Sequence, residues 1–468
     1  MVSYTLSQII IHADIEALKK SLMVIDDVSY LDEYGYTPLI EAVIVDDVDK
    51  VTALLEAGAD VSQQDFTGRA PLHWAVFNNN LPILKVLLAA GADANAYSIV
   101  SEPVLTRPLL RGQDDYKDLL VNHGASLSFV YDYVNAKLLG HRFELIGSVD
   151  IVDTKGIFTE VDFEGFHLEF CLALIAHSLQ TFRHQYVSRT LSPWFKDVDH
   201  IIEALSQAQV WPKYDHYLLN ASSHFTEIQG WLKRDPIVIP VSQEGHAFTL
   251  VKCGDLFAIC DRSEHLTTED SIAIYYINRP SRLNVELIVE MVYNKTSIEA
   301  IVAHLKKSLG LFEVAQIPLR SQITGNCSWA NVEAIIPVLF YMLHARDSKT
   351  KKRSQDSLIT DSLELFFRWR DWDTGRSLQF CMQNYESASP ARKASITSLL
   401  AAVLVQRLSA QVEDHIIWAK QIIPFLKKQD YSYVLESYIA TYQKGAPTEV
   451  GRNLEELLTI YDREEDLG

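Results

Sequence analysis

The 468-residue chain reads as a multidomain fold of α and α+β classes, and three observations carry that reading. Gly58, Gly91 and Gly124 recur at a fixed interval of 33 residues, which marks a stacked helical solenoid over residues 1–128. From about Tyr131 this period is lost, and short β-branched and aromatic runs alternate with amphipathic ones, so residues 131–345 are expected to form an α+β domain. Residues 346–468 carry helical patterning almost throughout, which predicts a helical C-terminal domain.

Composition limits what such a chain does. With 48% apolar residues it can bury two or three ordinary cores. A formal charge of −19 repels phosphates, which argues against broad nucleic-acid binding and favours protein or small-molecule partners. The five cysteines (Cys171, Cys253, Cys260, Cys327 and Cys381) are scattered and odd in number, as expected of reduced thiols. Cys253, Cys260 and His265 lack the spacing of a metal site, so neither a metal nor a cofactor is expected. The N-terminus lacks a basic region, and the longest apolar stretches are too short to cross a bilayer; no signal peptide and no membrane span are expected.

The front segment repeats more than glycines. Asp32-Glu-Tyr-Gly-Tyr-Thr-Pro-Leu-Ile-Glu-Ala42 recurs as Asp65-Phe-Thr-Gly-Arg-Ala-Pro-Leu-His-Trp-Ala75, and each unit closes on Leu-Leu-x-Ala-Gly-Ala-Asp. These motifs resemble the ankyrin family. Pro38 and Pro71 fit a first helical turn, where no N–H bond is lost, and Gly58, Gly91 and Gly124 fit helix ends with positive φ. With a capping unit over residues 6–22 and a partial one from Pro103 to Ala125, about four repeats are expected. The resemblance implies a protein partner held at hairpin tips and inner helices, where Tyr34, Phe66, Trp74, Asn78, Asn79, Tyr97 and Ile99 are the candidates. His73 is expected to bond backbone within the stack.

In the middle segment, strands are expected at Phe143 to Ile146, Ser148 to Asp153, Ile157 to Val161, Ile237 to Val241, His246 to Cys253, Leu256 to Cys260 and Ile272 to Ile277. Helices are expected near Leu168 to Phe182, Val198 to Gln209 and Val332 to Leu343. The two-residue turn Gly254-Asp255 sets Cys253 opposite Leu256. Alternation then places His246, Phe248, Leu250, Phe257, Ile259 and Asp261 on one face, with Cys253 and Cys260 on the other. His246 and Asp261 become diagonal neighbours, a gap of about 7–8 Å between Cβ atoms that imidazole and carboxylate can close.

Cys327 follows a polar turn, Gln322-Ile-Thr-Gly-Asn-Cys327, that leads into an apolar helix. A helix start favours a thiolate. If its helix packs on the Phe248/Leu250/Phe257/Ile259 face, Cys327 is the nucleophile, His246 the base, Asp261 the group that orients it, and Gln322 an oxyanion donor beside the Cys327 N–H. Gly325 permits a tight backbone approach, and Trp329 and Asn331 either brace the site or are ordinary core.

The order His, Asp, Gln-x4-Cys resembles the permuted papain-like cysteine proteases, which include ubiquitin-like-protein proteases, adenovirus-type proteases and YopJ-type acetyltransferases. The resemblance covers roughly 110 residues. Ala247 and Ser328 stand where that family commonly has an aromatic residue and a glycine. The resemblance implies a Cys-His-Asp thiol site without carrying over a substrate class; acyl transfer by peptide or isopeptide hydrolysis is the first expectation. Acetyl transfer through the same triad, and a non-catalytic adaptor with a pseudo-protease domain, are the alternatives.

The tail is expected to hold helices at Leu358 to Arg368, Ser395 to Leu408, Glu413 to Lys427 and Tyr431 to Tyr442, with breaks at Pro390, Pro424 and Pro447. Lys349-Thr-Lys-Lys-Arg353 reads as a solvated linker or a nuclear-import signal. The acidic end, Glu455 to Gly468, resembles the Glu-rich translocation signals of Legionella type IV (Dot/Icm) effectors, and the whole arrangement resembles the Legionella ankyrin effectors. That resemblance implies delivery into a host cell, to the cytoplasm or the nucleus.

Overall fold

In the computed structural model the described residues are 5–25, 27–212, 224–243, 245–263, 271–293, 297–322, 325–347, 353–443 and 448–465. The expectations placed on His265, Pro447, residues 349–352 and the last three residues fall outside them. The chain forms two compact units that are interleaved in sequence rather than consecutive. One comprises Met1–Lys137, Ser148–Asp162 and Tyr385–Leu399; the other comprises Leu138–Gly147, Phe163–Asn384 and Leu400–Gly468.

The first unit holds four helix pairs: Leu6–His12 with Ile15–Leu22, Pro38–Ile44 with Val48–Glu56, Pro71–Phe77 with Leu81–Ala89, and Thr106–Leu110 with Asp114–Asn122. Local chemistry explains their ends. Thr37 caps the N–H of Ile40, Asn80 caps that of Ile83, and Pro38 and Pro71 occupy first turns. Gly58, Gly91 and Gly124 close the second helices at φ of 91°, 92° and 93°. Leu39, Val43, Val51, Leu54, Leu72, Val76, Ile83 and Leu87 are wholly buried between repeats. The antiparallel strands β1 (Ser148–Val152) and β2 (Phe158–Asp162) belong to this unit, and Ser101 Oγ donates to the Glu160 carbonyl at 2.6 Å.

The second unit is built on a five-stranded antiparallel sheet in the order β3 (Ile237–Gln243), β4 (His246–Cys253), β5 (Leu256–Cys260), β6 (Ser271–Ile277), β7 (Leu311–Pro318). Each strand therefore pairs with its sequence neighbour. The helix Leu168–Arg183 packs on Phe195–Ala208 and on Cys327–Glu333, while Ile335–Asp347 lies against both β4 and the 29-residue helix Gln355–Gln383. Glu413–Leu426, Ser432–Gln443 and Glu449–Glu465 complete the helical tail.

Several expectations are corrected. Phe143 to Ile146 is not a strand: Phe143 and Glu144 turn the chain at the end of the long helix Leu127–Arg142, and Glu144 takes a positive φ of 50°. Pro424 lies inside Glu413–Leu426 instead of breaking it, within its last turn. The break expected at Pro390 is present: one helix ends at Gln383 and Pro390 starts the next, Pro390–Arg407, where a missing N–H costs nothing. Strand β7 was not anticipated.

Candidate active site

The β4–β5 hairpin has the register that its two-residue turn requires, with Cys253 opposite Leu256, Leu250 opposite Ile259 and Thr249 opposite Cys260. There the ladder ends. Asp261 leaves the strand in a turn, its N–H bonded to the Ile259 carbonyl at 3.1 Å, and its side chain is buried to 1% exposure. His246, the first residue of β4, places Nε2 at 3.0 and 3.1 Å from the two Asp261 carboxylate oxygens. Burial works against a charge on this ring. Hydrogen bonds to Asp261 and to the Cys327 thiol, with the charges of both, outweigh it and push the His246 pKa up to about 10. Imidazole and carboxylate thus meet at one end of the sheet, with the Cys327 sulfur close enough to act on the ring.

Cys327 is the first residue of its helix, Cys327–Glu333, as the helix-start reading expects, although that helix begins before the expected Val332. Its approach is shaped by Gly325, which holds φ at +83°; a Cβ there would fall 2.2–2.5 Å from the Glu164 side chain. Asn326 follows with its Oδ1 2.6 Å from His141 Nδ1 and its Nδ2 donating to the His141 carbonyl at 3.2 Å. The His141 ring lies parallel to Trp329, 6.2 Å away, and Arg142 sits 4.9 Å over the same indole. Four of the five cysteines are buried and only Cys327 reaches the surface. Burial pushes the thiols of Cys171 and Cys260 up to about 12, which makes both inert near neutrality.

The helix does not pack on the expected sheet face. Thr249 Oγ1 donates to the Asn331 carbonyl at 3.1 Å, so the helix lies on the face of Ala247, Thr249 and Cys260. The Phe248 and Phe257 face carries Tyr275 and, over its ring at 5.3 Å, Lys306 of Ile298–Leu309. Strand alternation separates the two faces but does not say which one a distant helix covers. The site assembles all the same, because His246 and Asp261 both lie where the β4–β5 ladder has ended.

Asn331, wholly buried, links the pieces. Its Nδ2 donates to the Ala247 carbonyl at 2.7 Å and its Oδ1 accepts the Arg262 N–H at 2.8 Å. Arg262 is itself buried and pairs with Glu333 at 2.8 Å, and Arg370 joins Glu333 at 3.7 Å to Glu144 at 3.0 Å. Sequence reading missed Arg262, Glu333, His141 and Asn326. The one available signal was a second charged residue, Arg262, two positions past an apolar strand. Gln322 is tied beside Asp261 by its N–H, which bonds the Arg262 carbonyl at 2.9 Å. Its Oε1 is buried with no hydrogen-bond partner among the described residues.

At the repeat tips, Tyr34, Phe66 and Ile99 are 73%, 66% and 72% exposed. The other candidates are engaged within the stack. Trp74 donates to Asp65 at 2.9 Å, Asn78 to the Val43 carbonyl at 2.9 Å, and Asn79 accepts from Arg111 at 3.0 Å. Tyr97 stands 5.5 Å from Phe129, edge to face, and with Ile99 lines a cavity of about 520 Å³ that also includes Gln64, Asn95, Asp153 and Lys155. His73 Nδ1 accepts the Ala70 N–H at 3.1 Å, as expected. Among the described residues no group of three or more His, Cys, Asp or Glu could hold a metal, and no helix is long and apolar enough to cross a membrane.

A repeat stack in one chain with a helix-flanked antiparallel sheet defines a multidomain ankyrin-repeat protein, and the family profile for ankyrin repeats (3 copies) matches residues 6–98. No curated protein matches the sequence. The solved structure of the Legionella effector AnkH is 38% identical, with a TM-score of 0.87 over 98% of this chain and 97% of that one. The chain belongs to the AnkH family of Legionella effectors.

Proposed function

We propose that the protein is an effector secreted into host cells, where its repeats hold a host protein and Cys327, His246 and Asp261 carry out acyl transfer, most simply hydrolysis of a peptide or isopeptide bond. One observation carries the catalytic part: the His246 ring bonds the Asp261 carboxylate through Nε2 at 3.0 Å, while the Cys327 sulfur lies close enough to help raise the pKa of that ring. In this reading His246, which holds its proton at neutral pH, pairs with the Cys327 thiolate, and the thiolate attacks the acyl carbon. The imidazolium then protonates the leaving amine, and water releases the acyl group from the thioester. Asp261 holds the ring in the productive tautomer. Gln322 is the proposed oxyanion donor, through its side-chain N–H. Likeness to AnkH supports the effector role; a type IV route and the host compartment are part of the proposal.

Exposed Tyr34, Phe66 and Ile99 support recognition of a host protein through the tips, with Tyr97 at the adjoining cavity. Host-cell extract treated with the protein or with Cys327→Ala, followed by N-terminal and lysine-modification mapping, tests the catalytic reading. New N-termini, or released isopeptide lysines, that need Cys327 are expected. Acetylated Ser, Thr or Lys in their place would make the protein an acetyltransferase, and identical extracts would leave an adaptor.

A further inference from the structure

We propose that Asn331 is a positioning residue whose carboxamide replaces the missing rung of the β4–β5 ladder and thereby sets the spacing of Cys327, His246 and Asp261. This rests on the active-site reading above. The last paired residues are Thr249 and Cys260, so continuing the antiparallel register two residues outward puts Ala247 opposite Arg262. These two are not paired with each other. The Ala247 carbonyl takes Asn331 Nδ2 at 2.7 Å, and the Arg262 N–H goes to Asn331 Oδ1 at 2.8 Å. A planar amide with one donor side and one acceptor side has thus been inserted between two strands that need an acceptor and a donor.

The consequence follows from chain neighbours. Ala247 adjoins His246, Arg262 adjoins Asp261, and Asn331 lies four residues after Cys327, one turn along the same helix face. A single side chain therefore fixes the backbones of all three groups at one residue's or one turn's remove. It also holds the strands apart where Asp261 must bend toward His246 instead of continuing the ladder. Only asparagine satisfies both partners at this size. Aspartate keeps the bond to Arg262 but turns an oxygen toward the Ala247 carbonyl, and alanine leaves both backbone groups buried and unpaired.

The test uses the full chain as wild type, Asn331→Ala, Asn331→Asp and Ser178→Ala. The last removes buried bonds to Asp373 and to Trp369, the latter at 3.0 Å, none of them to Cys327, His246, Asp261 or Asn331, and controls for general loosening. Each is treated with iodoacetamide from pH 5 to 9 and labelling of Cys327 is mapped, with circular dichroism to verify folding. Wild type is expected to react below pH 7 faster than a free thiol. Both Asn331 variants are expected to lose roughly tenfold or more of that advantage, and Ser178→Ala to keep it. If Asn331→Ala does not fold, Asn331→Asp decides. Unchanged profiles in the Asn331 variants, or an equal loss in Ser178→Ala, overturn the positioning role alone. A wild-type profile like that of a free thiol overturns the active-site reading and this role with it.

Discussion

His246 Nε2 lies 3.0 Å from Asp261, a contact between a strand's first residue and the first residue past its neighbour's end. The folded-state pKa of His246, about 10, stands above its ordinary value of 6.5. Stabilisation from this contact is therefore fully present below pH 6.5 and is lost as pH rises through about 10. Denaturant unfolding of wild type and Asp261→Asn at pH 6, 8 and 10 checks this: the gap between them is expected to shrink with rising pH. A gap that widens contradicts it.

His73 has the opposite sign. Burial holds its pKa down to about 4, so the stack tolerates only the neutral ring. The stability it contributes is present above pH 6.5 and lost as pH falls toward about 4. Hydrogen exchange of residues 38–77, corrected for intrinsic rates, is expected to show this loss, and His73→Asn to flatten it.

Glu333 neutralises Arg262, and both are almost wholly buried. Glu333→Ala strands a buried guanidinium and is expected to cost about 3–5 kcal/mol. Equilibrium unfolding measures this directly. Replacing the pair together, as Arg262→Met with Glu333→Leu, is expected to recover much of the loss.

Much of the fold is legible because its determinants are local. A proline in the first turn and a glycine 20 residues later bound the two central repeats, Pro38 with Gly58 and Pro71 with Gly91. The hairpin register is likewise local, since Gly254-Asp255 leaves no freedom in pairing Cys253 with Leu256. What escaped depends on distant partners. Thr249 shows which sheet face the Cys327 helix covers, and no alternation pattern contains that information. Asn331 and His141 acquire their roles only when separate segments meet, at Ala247 and Arg262 for one and at Asn326 for the other. Strand β7 escaped because its run, Leu-Phe-Glu-Val-Ala-Gln-Ile-Pro, follows a helix without a turn signal beyond Gly310.

The Phe66 ring lies over Gly35, where an added Cβ would meet ring atoms at 2.2–2.8 Å, and φ there is +83°. Gly35→Ala is expected to destabilise the repeats by about 1–2 kcal/mol through backbone strain, beyond the cost of moving the ring. Phe66→Ser alone, at an exposed tip, is expected to stay within about 0.5 kcal/mol of wild type while weakening capture of the host protein. Thermal unfolding and pull-down with the same variants separate the two effects.

The central claim is that His246 activates the Cys327 sulfur. Its most direct measurement is the carbamidomethylation rate of Cys327 at pH 6 in the folded protein, in His246→Ala and in the urea-unfolded chain. The account requires the folded wild type to be faster than both by roughly tenfold or more, since only the thiolate reacts. Equal rates in all three would mean that the imidazole leaves the thiol as it found it.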